Sequence, residues 1–136
     1  MTTAPERKRP DISMSRDEIA AFLATQSRAV VVALDGSAPV GTVADLAYAD
    51  GELSVTLHAG DPVAALLARD DRVCVMTEQF PTYYEIKGVS AHGRAALRDS
   101  DDGRVRFTLG LDDTTSFDFG KVPRQGVGSG KADGPT

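Results

Sequence analysis

Residues Pro39 to Val73 read PVGTVADLAYADGELSVTLHAGDPVAALLARDDRV, and no other stretch constrains the fold as tightly. Val40 to Tyr48 and Leu53 to Leu57 carry Val, Thr and Tyr, whose shapes suit a pleated, half-buried surface. Asp50-Gly51 lies between them, and both residues tolerate the positive φ that a two-residue hairpin loop requires. After a short loop, Asp61-Pro62 sets a side-chain acceptor before a proline, the order of an N-cap and a first helical position. Val63, Leu66 and Leu67 then give a short helix one buried side. Two strands, a tight turn and a helix therefore meet at one corner.

The flanking sequence extends the pattern. Ser15 and Glu18 form an S-x-x-E capping box, and Ile19, Phe22, Leu23 and Gln26 follow at helical spacing, which predicts a helix to about Thr25. Ala29 to Leu34 reads as a compact apolar strand ending at Asp35-Gly36. Arg72 to Glu78 is a further strand, and Tyr84 to Arg98 a long one with bends expected at Gly88 and Gly93. Asp99 to Gly103 reads as a polar turn, Arg104 to Leu109 as a short strand, and Ser116 to Lys121 as a candidate additional one. Residues 1–12 and 124–136 lack an apolar period and are expected to be disordered or flexible tails on one domain spanning 13–123. Many short strands, regular turns and two short helices predict a mainly β fold with short α elements. Closing the sheet into a six-stranded antiparallel barrel removes its exposed edges.

Composition narrows the function classes. A chain of 136 residues, 41% hydrophobic and 26% charged, suits one globular domain with a real core. A formal charge of −5 argues against a nucleic-acid binder, and the basic Glu6-Arg7-Lys8-Arg9 run reads as a solvated tail. The lone Cys74 excludes an internal disulfide, as expected in a reducing cytoplasm, and its run Val73-Cys74-Val75-Met76 predicts a buried small hydrophobe. No run approaches the ~18 apolar residues of a membrane span, and the polar start is no signal peptide. There is no Ser-His-Asp order, CxxC or P-loop. His58 and His92, without acidic companions at metal spacing, make no zinc site.

Several phrases, taken in order, resemble the pyridoxamine 5'-phosphate oxidase-like split barrels, a superfamily that binds FMN or F420. They are the capped opening Met14-Ser15-Arg16-Asp17-Glu18-Ile19, Asp35-Gly36 followed by Pro39, and Asp50-Gly51. Leu67-Ala68-Arg69-Asp70-Asp71-Arg72-Val73 and the strand YYEIKGVSAHGRA complete the match, which covers about Met14 to Pro123. The resemblance implies a six-stranded split barrel and a homodimer with cofactor sites between the subunits. It also implies flavin- or deazaflavin-dependent redox chemistry on a small organic molecule. The family's basic residues are missing, however. Thr42 and Ala47 stand at the strand positions, and Asp61, Pro62 and Val63 where a basic pair opens the helix. Thr42, Thr56, Gly60 and the backbone N–H groups after Pro62 remain as neutral donors, so the phosphate site is weakened. The alternative is a split barrel that has lost its cofactor and acts as a small-ligand binder or acid–base catalyst.

His58, beside the corner, is a candidate for ring contact, proton donation or haem ligation, against an exposed loop histidine. His92 reads as a hydrogen-bonded strand residue. In the Phe80–Glu85 loop, Tyr83 and Tyr84 are candidates to stack on a ring or lend a phenolic proton, or else to pack at a dimer interface. Lys87, alternating with Glu85 along its strand, is a candidate cofactor contact against a cross-strand surface pair, and Lys121 is the last cation able to reach the groove, against a solvated side chain.

Overall fold

The structure, a computed structural model, describes residues 11–79 and 86–121. A helix α1 (Arg16–Thr25) precedes strands β1 (Arg28–Asp35), β2 (Ala38–Ala49) and β3 (Glu52–His58). Helix α2 (Pro62–Arg69) then leads to β4 (Arg72–Gln79), β5 (Lys87–Asp101) and β6 (Arg104–Asp118), with a 3-10 turn at Phe119–Lys121. All neighbouring strands are antiparallel, and the sheet closes in the order β1-β2-β3-β6-β5-β4. This is the split-barrel architecture expected from the sequence.

Local signals set the element ends. Ser15 Oγ accepts from the Glu18 N–H at 3.2 Å, and Glu18 Oε1 accepts from the Ser15 N–H at 2.8 Å, so the capping box forms. Asp50 and Gly51 both take positive φ (55° and 76°), as the hairpin dipeptide requires. Strand alternation points Val31, Ala33, Leu53, Val55, Leu57, Val73 and Val75 inward, where Phe22 and Leu23 of α1 and Val63 and Leu67 of α2 join them.

Four local readings change. β6 is one strand of 15 residues from Arg104 to Asp118, not two short pieces. Its middle, Gly110 to Thr115, has no apolar period, and long pairing with β5 supplies its hydrogen bonds instead. The bend expected at Gly88 lies between Leu97 and Asp99, while the one at Gly93 is present. Gly93 has to be glycine, because a Cβ there would meet the Gly110 carbonyl oxygen at 1.9 Å. The polar turn shrinks to Asp102-Gly103, both at positive φ, with β5 running on to Asp101. Cys74 is half-buried on the outside of the barrel rather than in the core, since its neighbours Val73 and Val75 take the inward positions. The chain is tied down from Ile12, whose carbonyl accepts the Asp118 N–H at 2.7 Å. The remaining tail residues lie outside the described residues.

Candidate functional site

The corner between β2, β3 and α2 forms as expected, and it is closed on itself. Asp61 caps α2 by accepting the Val63 N–H at 2.9 Å through Oδ1. Its other oxygen, Oδ2, accepts the Thr42 hydroxyl at 2.8 Å. The Ala64 N–H donates to the Asp61 carbonyl and the Asp61 N–H to the carbonyl of His58. Pro62 has no N–H. Apart from Gly60, whose outer side is open, and the Thr56 hydroxyl on the outer face of β3, the donors that a phosphate would use here are taken by Asp61 or its neighbours. Thr42 faces into the barrel with Val40 and Ala44, whereas Ala47 lies on the outer face. These two family positions cannot grip one anion along a regular strand.

The other candidates disperse. Thr56 and His58 lie on the outer face of β3, paired with Arg106 and Arg104 of β6, and His58 is exposed. Arg104 in turn bonds Asp45 of β2, and Arg106 bonds Asp99. Lys87 sits at the last pair of the β4–β5 ladder, beside Asp118, with its Nζ 3.9 Å from Oδ2. That carboxylate is on the facing strand, so this is the cross-strand surface pair expected. Lys121 donates to Glu18 at 2.6 Å and to the Ser13 carbonyl at 2.9 Å, which ties the end of the barrel to the start of α1. The ammonium and the Ser15 N–H together pull the Glu18 carboxyl down to about 2. Tyr83, Tyr84 and the rest of the Phe80–Glu85 loop lie outside the described residues. Among the described residues no group of His, Cys, Asp and Glu is placed to hold a metal ion, and no helix is long and apolar enough to cross a membrane.

A second feature was not singled out from the sequence. The outer face of β2, β1, β4 and β5 presents two rows in register, Val43-Val30-Met76-Ser90 and Gly41-Val32-Cys74-His92. Val43 is 57% exposed, Met76 39% and Val30 37%. Beside them a groove of ≈ 370 Å³ runs over Val32, Leu34, Cys74 and His92, with Arg72 and Arg94 at its rim. His92 is exposed there and hydrogen-bonds to none of the described residues, so it is not the satisfied strand histidine expected. The signal lay in the runs Ala29-Val30-Val31-Val32-Ala33 and Val73-Cys74-Val75-Met76, which leave no polar face on either strand.

The corner does not fit a phosphate dianion. A carboxylate already occupies the helix N-terminus, and no described lysine or arginine is bonded to any of its residues. An isoalloxazine ring is a different matter, since ring contacts need apolar surface rather than cations.

No family model matches the chain, and no curated protein matches it in sequence. Solved structures do match. The chain is similar to the conserved hypothetical protein Rv2991 from Mycobacterium tuberculosis, with 24% identity, TM-score 0.74, and coverage of 95% of this chain and 98% of that one. A candidate pyridoxamine 5'-phosphate oxidase from Listeria innocua superposes with TM-score 0.63 at 14% identity, over 74% of this chain and 95% of that chain. A protein from Mycobacterium smegmatis described as binding FAD and haem gives TM-score 0.65 at 15% identity, over 80% and 73%. The fold is that of the pyridoxamine 5'-phosphate oxidase-like split barrels.

Proposed function

We propose that the chain works as a homodimer that holds a flavin or deazaflavin by its ring and oxidises or reduces a small organic molecule with it. The observation that carries this reading is the complete barrel. The closed six-stranded chain is similar over 80% of its length to a structure described as binding FAD, and the family resemblance implies ring sites in the grooves between two such barrels. When bound, the ring would accept or give two electrons. The chain's own part is to orient it and exclude water. The apolar outer face supports the dimer, because a monomer would leave Val30, Val43 and Met76 in water side by side. Which organic molecule is turned over follows from residues around the ring, and Tyr83, Tyr84 and His58 remain the proposed proton donors.

The test is a comparison of FMN with riboflavin, followed by flavin fluorescence and visible absorption. The native chain should bind both equally weakly, since the phosphate finds no cation. Asp61→Asn should tighten FMN by about tenfold through lost repulsion, and Asp61→Asn with Val63→Lys by a further tenfold or so, with riboflavin unchanged. Equal gains for both ligands would show that phosphate does not reach this corner.

A second reading has its own support. The Thr42–Asp61–Val63 lock makes the corner complete without a ligand, as expected of a split barrel that has lost its cofactor and binds another small molecule. Failure of either flavin to bind, even to the lysine variant, would select this reading.

A further inference from the structure

The geometry points to a groove under α1, marked by Arg16 and Tyr48, as a binding site for an apolar monocarboxylate. The groove measures ≈ 570 Å³ and runs between α1 on one side and the β2–β3 hairpin and β6 on the other. Its floor is apolar. Leu23, Leu53 and Leu109 are buried there, and Ile19 and Leu111 form the partly buried walls. It lies away from the α2 corner and from the apolar face of β1 and β4, and it does not depend on the flavin reading.

Charge makes this groove unlike the others. Arg28, Arg69, Arg72, Arg94, Arg98, Arg104, Arg106, Lys87 and Lys121 each have a carboxylate partner within ion-pair distance. Among the described residues Arg16 is the one lysine or arginine without such a partner, and it lines this groove. Helix stability does not account for it. Arg16 is the first residue of α1, where the helix dipole disfavours a cation and the neighbouring Asp17 and Glu18 are the favoured kind. Tyr48 lines the same groove, half-buried, and its phenol makes no hydrogen bond to the described residues. A guanidinium offers a planar fork to a carboxylate, and a phenol can donate to the same oxygens. A ligand that satisfies both and also covers the leucine floor has a carboxylate at one end and a hydrocarbon body at the other.

Isothermal titration of the full chain with octanoate, octan-1-ol and acetate tests the site, in the native protein and in the Arg16→Gln and Tyr48→Phe variants. Arg16 makes no described ion pair or hydrogen bond, and Tyr48→Phe keeps the ring that packs against the core, so the variants should remain folded. Octanoate should bind saturably, with octan-1-ol and acetate each weaker by about tenfold or more, since one lacks the charge and the other the body. Arg16→Gln should cost octanoate about tenfold and leave octan-1-ol unchanged, and Tyr48→Phe should cost roughly threefold. Methyl NMR should show Leu23, Leu53 and Leu111 shifting on addition of octanoate while Val30, Val43 and Met76 stay fixed. No saturable binding, equal affinity for octan-1-ol or acetate, an unchanged Kd in Arg16→Gln, or methyl shifts confined to Val30, Val43 and Met76 would each overturn the assignment. Riboflavin binding should be the same in both variants, so failure here is separable from failure of the flavin reading.

Discussion

The barrel has two outer faces, built from the same kind of strand, and they solve exposure in opposite ways. Across the middle of β2, β1 and β4 the outward residues are Val43, Val30, Val32, Cys74 and Met76, with Arg28, Asp45, Arg72 and Glu78 towards the strand ends. Over β3, β6, the second half of β5 and the Arg28–Asp45 end of β1 and β2 they are ionic. Asp45 bonds Arg104 and lies 3.9 Å from Arg28, Glu52 bonds Arg98, and Asp99 bonds Arg106 at 2.7 Å. The ionic face is complete in one chain. Its arginines are paired, and Ser54, which points outward from β3, is only 7% exposed. The apolar face is unfinished in one chain, because water is a poor neighbour for three adjacent large side chains. β5 passes from one face to the other at Gly93, where the register with β6 shifts. The lesson is that a sheet's outer surface declares whether it expects a partner, and here only half of it does.

The largest expected effect breaks the apolar half. Val43→Asp combined with Met76→Asp should convert a dimer to a monomer at micromolar concentration, since each buried unpaired charge costs roughly 3–5 kcal/mol. Light scattering reads this directly. Arg98→Ala with Arg106→Ala on the ionic face should leave the mass unchanged and cost under about 1 kcal/mol per pair. A native chain that is already monomeric, or a dimer lost through the arginine changes, would reverse the contrast.

An intermediate effect is expected where the faces join. Gly93→Ala puts a methyl into the Gly110 carbonyl and should destabilise the fold by about 3 kcal/mol, seen as a fall in Tm of roughly 10 °C. Gly110→Ala, a short distance away, meets open space and should change Tm far less. Similar losses at both positions would mean that the close approach of β5 and β6 does not set the junction.

Acid gives the smallest effect and separates the two kinds of surface. Lys121 and the Ser15 N–H lower the Glu18 carboxyl to about 2, and Arg72 lowers that of Asp70 to about 2. A lowered folded value means that these contacts contribute fully above the unfolded pKa and lose that contribution as pH falls towards 2. Stability measured by denaturant between pH 4.5 and 2 should therefore decline, modestly because both groups are exposed. Dimer mass should not change from pH 4.5 to pH 4, since neither Glu18 nor Asp70 lies in the apolar rows. Dissociation at pH 4 would show that charge, not apolar cover, joins the subunits.

Much of the fold was legible because its signals are local. Ser15 with Glu18, Asp50-Gly51 and Asp61-Pro62 each act within a few residues, and each formed as read. The second half of β6 was not legible, since Asp112, Asp113, Thr114 and Thr115 carry no apolar period and are held by pairing with β5. The candidate site divides in the same way. Asp61 as a cap was visible in the sequence, but its bond to Thr42 depends on a strand facing inward across 19 residues of chain. The run Val73-Cys74-Val75-Met76 predicted a buried Cys74, although alternation allows only every second residue of β4 into the core. Arg16 and Tyr48 share a groove only because α1 folds back over the β2–β3 hairpin.

The β1–β4 pairing that closes the barrel has a consequence for assembly. It consists of Val30 with Met76, Val31 with Val75 and Val32 with Cys74, against fourteen pairs between β5 and β6. Two of those three pairs carry the outward side chains of the apolar rows, so whatever covers that face also lies across the shortest ladder of the cylinder. In the proposed dimer, association and closure would become one cooperative event, with each subunit a strap around the other's slit. The melting temperature of such a protein rises with its concentration, as mass action requires when the joined state is the closed one.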